Sequence, residues 1–120
     1  SSRFKFPEAS LGVFVTGGLS ATLPAYAGLA RAKALTLLGD EFGAEQARNW
    51  GLVWRVVEPA DLETASALMA RQLASLEPAV LRSFKRVFNE VGLSSFDAAV
   101  RLENEAQRSL AAAAPPDIRS

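Results

Sequence analysis

Residues 4–39 read FKFPEASLGVFVTGGLSATLPAYAGLARAKALTLLG, and the order of signals in that stretch decides the architecture. Phe4 and Phe6 alternate with Lys5 as a strand does, and no second strand-like run follows before Val53. Pro7 to Gly18 reads as a loop punctuated by Gly12, Gly17 and Gly18. Gly18-Leu19-Ser20 then opens a short helix with Leu19, Leu23 and Tyr26 on one face, ended by Gly28. A second helix, rich in Ala and Leu, spans Ala30–Leu38 and stops at Gly39 as a C-cap glycine stops a helix.

Further along, Gly43 or Ala44 starts a third short helix that ends at Gly51. Val53–Val57 reads as a second strand or extended segment closed by Glu58-Pro59. The remainder is helical. Leu62, Ala65, Met69, Leu73 and Leu76 recur at three- and four-residue spacing over Asp61–Leu76. Glu77-Pro78 breaks that helix, because the proline ring disfavours helical geometry in the residue before it. Val80, Phe84, Val87, Phe88 and Val91 form one stripe of the next helix, which ends at Gly92. Ser94 or Ser95 caps a last helix from Phe96 to Ala112, stopped by Pro115-Pro116. Three amphipathic helices with bulky stripes form a small bundle or a surface built to meet another chain.

Composition narrows the function. The chain has 120 residues, 49% hydrophobic and 22% charged, which fits one ordinary domain and neither disorder nor a fibrous repeat. Thirteen basic and thirteen acidic side chains cancel, which argues against nucleic acid or an anionic membrane surface as the main partner. No apolar run approaches the ~20 residues of a spanning helix. Cysteine and histidine are both absent, so thiolate nucleophiles, zinc sites of the usual kind and histidine acid–base devices are excluded. The lack of cysteine fits a reducing compartment, and the expected location is cytoplasmic.

The chemistry must come from carboxylates, hydroxyls, Lys, Arg, Tyr26 or the backbone. Glu8 follows Pro7 at the end of the first strand, beside Phe4, Phe6, Leu11, Val13 and Phe14. A carboxylate held among such side chains is suited to moving protons near neutral pH; a solvated turn glutamate is the alternative. Gly17-Gly18 before a helix start could present N–H groups to an anion or a thioester oxygen, or serve as a flexible connector. Arg31 and Lys33, and Lys85-Arg86, could grip a phosphate or lie as solvated surface cations. Trp50 and Trp54 read as core or interface anchors. Thr16, Ser20 and Thr22 have no histidine to activate them, which disfavours a hydroxyl nucleophile.

Taken in order, FKFPEASLG (4–12), GGLSATLP (17–24), GLARAKALTLLG (28–39), FGAEQARNWGLVWRVVEP (42–59) and ALMARQLASLEPAVLRSFKRV (67–87) resemble the C-terminal half of the crotonase (enoyl-CoA hydratase/isomerase) superfamily. The resemblance implies an α/β fold, here the C-terminal part of a crotonase-like spiral, mostly helical with one or two short strands. Residues 1–58 are then the end of the crotonase core, and residues 59–120 a helical trimerisation region.

The family's proline–glutamate pair falls on Pro7-Glu8, which makes Glu8 the expected catalytic acid–base residue. Phe6, Pro7, Leu11, Val13, Phe14 and Gly17 are the expected substrate-binding residues. The implied reaction is hydration of a 2-enoyl-CoA. A double-bond isomerase of the same family and a noncatalytic helical self-association module are the alternatives. No metal or redox cofactor is expected, since coenzyme A arrives as part of the acyl-CoA substrate. The expected partner is the chain itself, as a homo-trimer or hexamer through the C-terminal helices, with no nucleic acid and no membrane. The resemblance also places the oxyanion hole and a second glutamate upstream of Ser1. The polypeptide is therefore expected to be a piece of a longer chain, inactive alone.

Overall fold

Phenylalanine decides where the chain closes on itself. The computed structural model describes residues 1–114, so the expected stop at Pro115-Pro116 lies outside the described residues. Strand β1 (Arg3–Phe4) pairs antiparallel with β2 (Phe42–Gly43), Phe4 opposite Phe42 and Arg3 opposite Gly43. The Phe42 ring is stacked on Phe4 at 5.4 Å between centroids and touches Phe6 at 6.1 Å and Trp50 at 5.2 Å. Such aromatic pairs add about 0.5–1.5 kcal/mol each beyond the area they bury, more than so short a ladder supplies by itself.

Of the two readings of Val53–Val57, a strand or an extended segment, the strand does not form. The N–H groups of Leu52 and Val53 donate to the Ala47 carbonyl at the end of the preceding helix. Their side chains pack on the aromatic cluster. β1 takes its partner from Phe42–Gly43 instead.

Helices fill the space between the strands. In α1 (Glu8–Leu11), a single turn appears inside the expected loop; Gly12 ends it in the left-handed region at φ 74°, its N–H bonded to the Ala9 and Glu8 carbonyls. Next, α2 (Leu19–Ala27) and α3 (Leu29–Leu38) meet at Gly28, as the glycine pattern indicated. Their buried Leu23, Ala27, Ala32 and Leu35 form one cluster with Phe42 and with Ala47 of α4 (Ala44–Asn49). Small residues at the α2–α3 contact let the two backbones approach closely. Trp50 is half-buried on this cluster, whereas Trp54 is 82% exposed and is no core anchor among the described residues.

A 3₁₀ turn (Pro59–Asp61) leads into α5 (Leu62–Ala74), α6 (Pro78–Gly92) and α7 (Phe96–Ala113), with the expected break at Glu77-Pro78. Ser95 occupies the N-cap of α7 without a side-chain cap bond. The three helices do not make a bundle. α7 packs on α2, while α5 and α6 bury no residue at all. The radius of gyration, 17.8 Å, accordingly exceeds the ~14 Å of a compact domain this long. Among the described residues, no helix is long and apolar enough to cross a membrane.

Candidate active site

Pro7 fixes its own φ and sits at the N-cap of α1, so Glu8 becomes the first helical residue and its side chain turns inward. The Glu8 Oε2 atom is sealed from solvent and has no hydrogen-bond partner among the described residues. An unsatisfied buried polar atom costs about 1–3 kcal/mol, and more when charged. A position that tolerates that cost is a place where a ligand can supply the missing partner.

Glu8 lies on the wall of a cavity of about 390 Å³. Val13, Phe14 and Val15 of the loop form one side of it, and Leu19, Leu23 and Pro24 of α2 the floor. Ser20 of α2, Leu29, Ala32, Lys33, Thr36 and Leu37 of α3 and Leu110 of α7 also line it. The space is of ligand size and overwhelmingly apolar, and Glu8 is its one carboxylate among the described residues.

Of the residues picked from sequence, Glu8, Val13 and Phe14 are brought together on this wall; Phe6, Pro7, Leu11 and Gly17 are not among its lining. The apolar surroundings expected for Glu8 from Phe4, Phe6 and Leu11 are supplied instead by α2 and α3. Phe4 and Phe6 are engaged with Phe42, and Leu11 is 62% exposed. Pro7 shapes the turn, its carbonyl accepting from the Ser10 hydroxyl at 2.8 Å. Gly17 takes a left-handed φ of 71° at the loop's corner.

The Gly17-Gly18 turn does meet an anion, and the anion belongs to the chain. The Glu103 carboxylate on α7, 2% exposed, accepts from the Gly18 N–H (3.0 Å), the Ser20 N–H (2.9 Å) and the Ser20 hydroxyl (2.5 Å). It therefore caps α2 from a distant helix, satisfying donors that a glycine N-cap leaves orphaned. Burial pushes this carboxyl up. The bonds from the Ser20 hydroxyl, the Ser20 N–H and the Gly18 N–H outweigh burial and hold it below the ordinary carboxylate value. One turn on, the Gln107 Oε1 accepts from the Phe14 N–H at 2.8 Å. Sequence reasoning missed this pair. The available signal was polar side chains at Glu103 and Gln107 on the same face of α7 as Phe96, Ala99 and Leu110.

The cation pairs do not converge on one anion. Arg31 lies over the Trp50 ring at 5.2 Å and reaches the Ala27 carbonyl at 3.3 Å, which offsets its unfavourable place near a helix start. Lys33 faces the cavity instead. On α6, Arg86 pairs with Glu90 at 3.5 Å on the surface.

The chain is thus mostly helical, with two short strands and an apolar cavity that holds one carboxylate among the described residues. The enoyl-CoA hydratase/isomerase pattern matches residues 1–114, and the chain belongs to that family. It is 35% identical to 1,2-epoxyphenylacetyl-CoA isomerase of Escherichia coli K12 over 108 residues, 90% of this chain and 41% of that protein. It is 30% identical to the short-chain-enoyl-CoA hydratase of Clostridium acetobutylicum over 106 residues, 88% of this chain and 41% of that protein. A solved enoyl-CoA hydratase/isomerase from Pseudoalteromonas atlantica T6c shares the fold at a TM-score of 0.87 and 30% identity, over 99% of this chain and 47% of that one. The chain thus has the crotonase-like fold and spans less than half the length of these relatives.

Proposed function

We propose that this chain carries the acyl pocket and one acid–base group of an enzyme acting on acyl-CoA thioesters, with Glu8 as the group that moves the proton. The carrying observation is the buried Glu8 Oε2, unpartnered on the wall of an otherwise apolar cavity of about 390 Å³. An apolar wall favours the acyl chain, and a carboxylate without a protein partner is free to bond a water or an acidic C–H carbon. Val13 and Phe14 contact the acyl group; Phe6 and Pro7 place Glu8, and Leu11 and Gly17 bound the loop between them. Coenzyme A enters as part of the substrate, and no metal or redox step is required.

The reaction is hydration of a 2-enoyl-CoA. Water adds its oxygen to Cβ, the Cα–Cβ π bond breaks, and a proton reaches Cα. Glu8 shares the proton transfers with a second carboxylate from outside these residues. Donors to the thioester oxygen also lie outside them, so residues 1–120 alone do not turn over. The family relatives named for hydratase and isomerase activities support acyl-CoA chemistry in general.

Isomerisation is the second reading, favoured by Glu8 being the one carboxylate among the described residues on the cavity wall. There a single carboxylate takes a proton from one end of the allylic system and returns it to the other. In either case the protein is read as cytoplasmic. It is a homo-trimer or hexamer whose contacts draw on residues 59–120, where α5 and α6 present their apolar stripes.

The test is turnover of a short trans-2-enoyl-CoA by the longest polypeptide that carries this segment, beside its Glu8→Gln variant. Hydration should fall by about 10²–10⁴-fold in the variant, the usual worth of a positioned acid or base. Hydration undiminished in Glu8→Gln overturns the assignment. Conversion of a 3-enoyl-CoA to the 2-enoyl isomer without hydration selects the second reading. Silence toward both substrates leaves the fold standing and the function open.

A further inference from the structure

The last helix is bound to the cavity rather than to its neighbours α5 and α6. Glu103, Gln107 and Leu110 follow one another at four- and three-residue steps and so share a face of α7. Each meets the cavity differently. Glu103 grips the backbone and hydroxyl of Ser20, Gln107 holds the backbone of Phe14, and Leu110 stands in the lining itself. Ser20 and Phe14 are both cavity residues. Two of the three contacts therefore fix wall positions through the main chain, which a ligand cannot displace by side-chain rotation.

We propose that Glu103 and Gln107 are positioning residues that set the depth of the acyl cavity, and that Leu110 is the specificity-determining side chain at its α7 wall. The proposal rests on the acyl-CoA reading above and adds which residues choose the acyl length. A buried carboxylate that served only to dock α7 needs no bond to a residue of the cavity wall. Here both polar anchors reach a wall residue, Glu103 holding Ser20 together with the adjoining Gly18 N–H and Gln107 holding Phe14, and Leu110 on the same face stands in the wall.

Binding separates this from a purely structural role, because it needs neither turnover nor Glu8. Dissociation constants are measured for free coenzyme A, a saturated four-carbon acyl-CoA and a saturated eight-carbon acyl-CoA on the longest chain carrying this segment. Leu110→Ala should shift the eight- to four-carbon ratio toward the longer chain by about tenfold, the lower end of what methylene-sized changes achieve in apolar pockets. Glu103→Gln and Gln107→Ala should move the same ratio by at least about threefold while free coenzyme A stays within about twofold. Gln107→Ala keeps the test open should Glu103→Gln fail to fold.

Loss of affinity for all three ligands alike, or an unchanged ratio in Gln107→Ala and Leu110→Ala, overturns the proposal. Wild-type protein that binds neither acyl-CoA overturns it together with the acyl-CoA reading.

Discussion

The pair α2–α3 and the pair α5–α6 are built on opposite principles. The first buries small residues, Ala21, Ala27 and Ala32, beside Leu23 and Leu35 within the chain, and leaves Leu29, Leu37 and Leu38 of α3 on the surface. The second carries the bold stripes, with Leu68, Leu73, Phe84, Phe88 and Val91, and leaves every one of them exposed. A face of small residues can close on a neighbour within the chain, whereas a stripe of bulky apolar side chains needs a partner that need not lie in the same segment. Amphipathicity therefore reports that a face will be covered without saying by what. Each bulky side chain left out forgoes part of the ~1.5–3 kcal/mol that full burial supplies.

The sharpest way to break the contrast is to empty the body's centre. Phe42→Ala removes the ring that Phe4, Phe6 and Trp50 share and should cost about 3–5 kcal/mol by urea denaturation. A loss below about 1 kcal/mol would make the body as loosely held as the α5–α6 arm.

Glycines give the second test, with opposite signs expected in the two regions. Gly18 has φ 83°, and a Cβ there would collide with the Phe96 ring of α7. Gly18→Ala combines about 1 kcal/mol of backbone strain with overpacking and should destabilise by roughly 2–3 kcal/mol. Gly92 ends α6 with open space around it and an ordinary φ, so Gly92→Ala should stabilise by up to about 0.5–1 kcal/mol. Equal effects at the two positions would mean that α7 is not clamped to α2.

Local chemistry was legible in the sequence and long-range pairing was not. Gly28, Gly39 and Pro78 punctuate the helices where they were expected, because left-handed φ and a missing N–H act within a turn. Glu8 was legible from Pro7-Glu8 and the family resemblance. Nothing local distinguishes Val53–Val57 from a strand; that β1 pairs with Phe42–Gly43 and that the Val53 N–H turns back to the Ala47 carbonyl are long-range facts. Glu103 was hidden for a similar reason. A glutamate on an amphipathic helix reads as solvated until Gly18 and Ser20, more than eighty positions earlier, are seen to donate to it.

That carboxylate sets the pH test. Its folded-state value is held below the usual one, so it contributes stability above the ordinary carboxylate range near 4.5, and that contribution is lost as pH falls toward the folded value. Denaturation midpoints of the wild-type chain should drop as pH is lowered through this window. Glu103→Gln should start less stable at pH 7 and show a flatter slope below pH 4.5, because its side chain binds no proton in either state. An unchanged slope would assign the acid sensitivity to surface carboxylates such as Glu41 and Glu45, whose exposed pairs with Arg3 and Arg48 contribute little.

The smallest expected effect decides what the arm is for. Phe84 is 62% exposed and touches only Phe88 among the aromatic rings, at 6.2 Å. Phenylalanine and serine have similar helix propensities, and a helical-surface ring pair contributes about 0.2–0.5 kcal/mol. Within this chain alone, Phe84→Ser should therefore change stability by no more than about 0.5 kcal/mol. A cost above about 2 kcal/mol that grows with protein concentration would identify the cover as further copies of the chain, since association stabilises by mass action. The same cost independent of concentration, in a longer polypeptide carrying this segment, would place the cover in cis. Either result would show that the stripe on α6 is half of a core.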